Sequence, residues 1–236
     1  MSIWVRIGDF ITSVATNAIS AVIEAVRTVF EGDVKTRRQV AFSIAMIALS
    51  AKMAKADGIV TQDEIRAFRD IFEVPPEEEA HVARLYDLAK QDVAGFEGYA
   101  HKLANLCSDG QPDCHLLEDI LDGLFHIAKA DGHVHEKELE FLARVAEIFG
   151  FDEEKFEQIA MRHIEQGQDD PYRVLGLRRG VSLADARSRY RALVKEHHPD
   201  RLIAEGLPPE FIAIANRRLA AINAAWARIE KNLEAA

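Results

Sequence analysis

The chain has 236 residues, 48% hydrophobic and 29% charged, with a formal net charge of −10. This is the composition of a globular chain with one or two domains and a real core. So acidic a chain is not expected to bind nucleic acid, and its only two cysteines, Cys107 and Cys114, exclude a disulfide framework and favour a reducing compartment. The charge is unevenly spread. Residues 169–236 hold 12 Lys/Arg against 9 Asp/Glu, and the rest 17 against 30, which suggests a basic module joined to an acidic one.

Residues 3–30 read as one amphipathic helix, with Ile3, Ile7, Ile11, Val14, Ala18, Val22, Ala25 and Val29 recurring at steps of three and four. Two readings of its apolar stripe are open. It packs on its own domain or on a second copy of the chain in a homodimer, or it lies on a membrane surface. Arg6 and Arg27 are matched by Asp9 and Glu24, so attraction to anionic lipid would be weak. Gly32 suits a helix stop, and residues 1–33 form the first segment. There is no secretory signal pattern. The longest weakly polar stretch, Phe10 to Ile23, falls short of the roughly 20 residues that span a bilayer. The expected location is the cytoplasm, with peripheral attachment at the inner membrane as the variant that residues 3–30 would provide.

Residues 34–165 show neither strand alternation nor hairpin dipeptides, which predicts an all-α domain. An internal repeat runs through them. Ala54-Lys55-Ala56-Asp57-Gly58-Ile59-Val60 returns 74 residues later as Ala128-Lys129-Ala130-Asp131-Gly132-His133-Val134. Each copy reads as helix, Asp-Gly turn, helix, and the two should pack as a duplicated bundle. Asp57 and Glu64, with their repeat mates Asp131 and Glu138, are oxygen donors seven residues apart across a turn, a set that suits a divalent cation. The competing reading is purely structural. Thr61-x-x-Glu64 is a capping-box pattern, and Asp57-Gly58 is a helix-ending turn. His126, His133 and His135 add a transition-metal variant, while Cys107 and Cys114 are best read as free thiols. No cofactor is required by any motif.

The polar run Glu165 to Asp169 marks the boundary to residues 170–236, which carry three helical patterns. The first covers Tyr172 to Leu175. The second runs from Ser182, the N-cap, to about His197, and the third begins at Pro208-Pro209. On the second, Ala186, Tyr190, Leu193 and His197 should face the third helix. Arg187, Arg191 and Lys195 form a basic stripe ending at the loop His198-Pro199-Asp200. This surface suits docking on an acidic partner. No nucleophile–base pair or phosphate-cradling loop occurs, so catalysis is not expected.

Asp170-Pro171-Tyr172-Arg173-Val174-Leu175-Gly176-Leu177, Tyr190-Arg191-Ala192-Leu193, His198-Pro199-Asp200 and Asn223-Ala224-Ala225-Trp226 together resemble the J-domain of DnaJ-like co-chaperones. The resemblance implies a small helical hairpin that docks on an ATP-bound DnaK-type chaperone and stimulates its ATP hydrolysis. It assigns that role to His198, Pro199 and Asp200, with Arg187, Tyr190, Arg191 and Lys195 in the docking surface. Trp226 stands where the family has tyrosine, Glu196 lowers the positive field, and Arg201 to Pro209 is longer than usual. The Gly/Phe-rich linker and zinc repeats of general DnaJ proteins are missing. The duplicated Lys-Ala-Asp-Gly-x-Val motif resembles the TerB-like domain of tellurite-resistance proteins, and the order TerB-like then J-domain resembles bacterial DjlA-like proteins. That arrangement implies a co-chaperone whose acidic domain acts as client, scaffold or localisation module. The alternative is a metal-binding stress-response protein in which the J-domain is accessory.

Overall fold

A computed structural model describes residues 3–13, 34–57, 68, 74–91, 95–107, 115–163, 169–205, 208 and 211–234. Among these residues there is no strand, and the all-α expectation holds. The elements are α1 (Ile3–Ser13), α2 (Val34–Asp57), a 3₁₀ turn (Pro76–Glu78), α3 (Glu79–Gln91), α4 (Phe96–Cys107), α5 (His115–Ala128), α6 (Glu136–Ile148), α7 (Glu153–Met161), α8 (Pro171–Val174), α9 (Leu183–Glu196), α10 (Pro199–Glu205) and α11 (Ile212–Glu234).

Helix α2 is the axis of the N-terminal bundle. Every residue from Val40 to Ala54 is buried, so it has no polar face, as a helix surrounded on all sides requires. Two of its polar groups find local partners. Ser43 Oγ donates to the Gln39 carbonyl at 3.0 Å, and the Lys52 ammonium lies 5.2 Å from the centre of the Tyr99 ring. Around α2 pack α1, α3, α4, α5 and α6. Helix α1 turns Trp4, Ile7 and Phe10 into the core. Over its first eleven residues, then, the N-terminal amphipathic segment packs on its own domain. Residues 14–30 of that predicted helix lie outside the described residues. No described helix is long and apolar enough to cross a membrane.

The second motif copy is described in full. Helix α5 ends in the turn at Asp131-Gly132, where Gly132 takes φ +101°, a backbone shape L side chains rarely adopt. Helix α6 follows from Glu136.

The C-terminal hairpin has its own small core of Tyr172, Val174, Leu175, Ala186, Leu193, Ile222, Ala225, Trp226 and Ile229. Local signals set its elements. Asp170 caps α8 by accepting from the Tyr172 amide at 3.1 Å, with Pro171 in the first turn. Ser182 caps α9 by accepting from the Asp185 amide at 3.1 Å. The hairpin is not self-contained. Leu202, Phe211, Ile214 and Ala215 are buried in the core of the N-terminal bundle, not in the hairpin's own. The Phe211 ring meets Phe42 of α2 edge-on, with centroids 4.0 Å apart.

Candidate functional site

The residues singled out along α9 emerge on two different faces. Arg187, Arg191 and Lys195 are exposed, and the basic stripe is open to solvent. Arg187 Nη2 meets Glu230 Oε1 at 3.1 Å, and its guanidinium sits 5.9 Å from the centre of the Trp226 ring. Tyr190 is half-buried. It stacks on Trp226 at 5.0 Å, and its hydroxyl donates to Asn223 Oδ1 at 3.0 Å, so its visible role is to join α9 to α11.

His198 and Asp200 are exposed and Pro199 half-buried. The three do not form an extended loop. Pro199 opens α10, a helix of seven residues that the three-helix sequence reading did not include. Proline at that place follows from its preset φ and missing amide hydrogen. The chain turns at His197, which ends α9 by donating its amide to the Leu193 carbonyl at 2.9 Å. His198 Nδ1 accepts from the Asp200 amide at 3.3 Å, so the imidazole and the carboxylate are held on one short turn.

Directly behind this turn lies a buried ionic cluster. Helix α5 turns Glu118, Asp119 and Asp122 inward, each no more than 5% exposed. Three cations meet them. Arg162 Nη1 reaches Glu118 Oε1 at 2.7 Å and Asp122 Oδ2 at 3.3 Å, and Lys155 Nζ reaches Glu118 Oε2 at 2.9 Å. Arg218 of α11 bridges both remaining carboxylates, with Nε 2.6 Å from Asp122 Oδ2 and Nη2 2.6 Å from Asp119 Oδ1. Its Nη1 meets His197 Nδ1 at 3.0 Å. His163 Nε2 lies 2.7 Å from Asp122 Oδ1, and its ring stacks on Phe125.

The electrostatics follow from competition for these cations. Burial opposes ionisation of Asp122, but Arg218, Arg162 and His163 outweigh it and hold the carboxyl well below the usual range. Asp119 shares only Arg218 and faces Glu118 and Asp122, so burial pushes it up to about 6. Burial likewise pulls His197 down to about 2, reinforced by Arg218, and keeps the ring neutral. Arg218 is held more firmly charged than a free arginine, because Asp122, Asp119 and Glu118 outweigh its burial.

His115, Glu118 and His197 bring one ligand atom each within 4.8 Å of one another, and the Nε2 atoms of both histidines are buried without a hydrogen-bond partner. The donor set does not suit a cation. Arg218 can only donate, so His197 Nδ1 accepts and the neutral ring carries its proton on Nε2, the atom a metal would need. Both Glu118 oxygens already face cations.

The four carboxylates proposed from the repeat are placed as follows. Asp131 is exposed, with one oxygen 3.1 Å from the His133 amide and the other 2.9 Å from His135 Nε2. Glu138 is 1% exposed and accepts from the His135 amide at 2.9 Å, the capping-box bond. The Asp57 side chain and Glu64 lie outside the described residues, as does Cys114.

The sequence reading anticipated that His197 faces the third helix, and it does, through Arg218. It missed Glu118, Asp119, Asp122, Arg162 and Arg218 altogether. The one available signal was the acidic spacing 118/119/122 on an otherwise apolar helix, where three carboxylates must find cations or leave the core.

Comparison with known proteins agrees with this layout. The family model described as tellurite resistance protein TerB matches residues 43–161. Curated relatives extend across both parts of the chain. The co-chaperone protein DjlA of Photobacterium profundum is 32% identical over 220 residues, covering 82% of this chain and 78% of the relative. That of Coxiella burnetii is 31% identical, covering 76% and 73%, and that of Vibrio cholerae 28% identical, covering 85% and 81%. No solved structure matches. With the TerB model matching half its length and a relative 32% identical across 82% of it, the chain belongs to the DjlA family of co-chaperones.

Proposed function

We propose that the protein docks on the ATP-bound form of a DnaK-type chaperone through the basic face of α9 and stimulates ATP hydrolysis through His198, Pro199 and Asp200. The observation that carries this reading is geometric. Arg187, Arg191 and Lys195 form an exposed cationic ridge ending at an exposed His198 and Asp200, and the cores on either side keep both in place. An open ridge of one sign steers an acidic partner and sets its register. Docking then shifts the partner's conformational population through contacts made only in one state. Asp200 supplies the carboxylate for a cation on that partner.

The TerB-like bundle serves as scaffold and as the site for client or location. Helix α1 has already buried Trp4, Ile7 and Phe10 in the bundle, so those side chains are not offered to a lipid surface.

Single-turnover hydrolysis by a DnaK-type ATPase, with and without the full chain, tests the reading. A severalfold acceleration that Asp200→Asn abolishes is expected. An intact chain that leaves hydrolysis unchanged would overturn it.

A further inference from the structure

The His198-Pro199-Asp200 turn is fastened on both sides to the TerB-like bundle as well as to its own hairpin. One residue upstream, His197 is fully buried, and Arg218 connects it to Asp119 and Asp122 of α5. Two residues downstream of Asp200, Leu202 is buried in the bundle core, followed by Phe211 on Phe42 and by Ile214. Leu202 and Phe211, on either side of residue 208, and Ile214 and Ala215 of α11 thus enter the neighbouring domain. Helices α5 and α11 also approach closely at Gly123. A Cβ there would stand 2.7 Å from Met46 Cε and 3.2 Å from Ile214 Cδ1. Meanwhile His198, Asp200 and the basic ridge stay exposed, so this contact leaves the docking surface open.

We propose that Arg218 is a positioning residue that mounts the His198-Pro199-Asp200 turn on the TerB-like bundle, so that the bundle sets the direction in which the turn meets the chaperone. The inference rests on the reading that this turn stimulates a DnaK-type ATPase. Arg218 is suited to the task because its planar guanidinium serves three acceptors from one rigid fork: Asp122 through Nε, Asp119 through Nη2 and His197 through Nη1. Lysine offers a point charge and cannot hold all three directions. The acceptors come from α5 and from the end of α9, so loss of the fork releases the upstream fastening of the turn, leaves Leu202 and Phe211 as its downstream hold, and does not touch the basic ridge. The partner then binds as before but meets the turn in many orientations, and the loss falls on the stimulated rate.

The experiment uses the full chain in single-turnover hydrolysis by a DnaK-type ATPase, titrating wild type, Arg218→Met, Arg218→Lys and Asp200→Asn. Arg218→Met is expected to lower the plateau rate at least threefold, with the half-saturating concentration within twofold of wild type and Arg218→Lys in between. A variant that is merely less well folded would keep the wild-type plateau and shift only the half-saturating concentration, and that result overturns the proposal. An unaltered titration overturns it too. If wild type itself fails to stimulate, the functional reading falls and the proposal with it.

A second measurement is independent of hydrolysis. Spin labels at Glu140→Cys on α6 and Ala192→Cys on α9, with Cys107 and Cys114 changed to serine, report the distance between bundle and hairpin. Wild type should give one narrow distribution and Arg218→Met a broad one. Equal widths would refute the mount.

Discussion

His197 makes a quantitative demand on stability. Its ring is fully buried, and burial reinforced by Arg218 keeps it neutral down to a pH of about 2, against an ordinary value of 6.5. Below pH 6.5 the unfolded chain takes up a proton there that the folded chain refuses. Stability from this residue is therefore complete above pH 6.5 and falls on acidification, at about 1.4 kcal/mol per pH unit. From pH 7.5 to 4.5 the loss comes to about 2.7 kcal/mol. Asp119 acts in the opposite sense. Its folded value of about 6 exceeds the unfolded 3.8, so the folded chain gains stability as pH falls from 6 towards 4. The two slopes oppose each other, and wild type alone would conceal both. Comparison with His197→Gln separates them, because glutamine still offers Arg218 an acceptor but takes up no proton, and the Asp119 contribution is common to both chains. Urea unfolding followed by circular dichroism at pH 7.5, 6.5, 5.5 and 4.5 gives the difference. It should move by only about 0.4 kcal/mol from 7.5 to 6.5 and reach about 2.7 kcal/mol in favour of the variant at pH 4.5. A difference that stays level throughout would show that the folded ring titrates normally and that the buried cluster is wrongly described.

Three further outcomes follow from particular contacts. Phe211→Ala removes a fully buried ring from the junction with Phe42 and should cost about 3–5 kcal/mol in urea unfolding, as large cavities do. Gly176 sits at φ +63° with a built Cβ 3.1 Å from Gln158 Nε2, so Gly176→Ala should lower stability by about 1–2 kcal/mol, read as a fall in thermal midpoint. Glu138→Ala deletes the bond to the His135 amide and should cost about 1 kcal/mol and loosen the start of α6, visible as faster amide exchange over residues 135–138.

The sequence by itself determined the helical class, the start of α9 at Ser182 and the place of the His198-Pro199-Asp200 turn at the end of that helix. These rest on local physics. Ser182 caps α9 because its hydroxyl reaches an amide three residues on, and Pro171 fits a first helical turn whatever lies around it. The repeat Asp131-Gly132 predicted a turn because glycine alone tolerates its backbone shape. The tertiary structure decided which charges are buried and what the turn is fastened to. Glu118 and Asp122 lie 44 and 40 residues from Arg162, and Asp119 lies 99 residues from Arg218. Such pairs leave no periodic trace, so nothing in the sequence joins these acids to Arg162 and Arg218. Whether a charge can leave water depends on partners brought within about 3 Å by the packing of α5, α7 and α11. The same holds for Leu202 and Phe211, whose apolar character was plain but whose core belongs to the other domain.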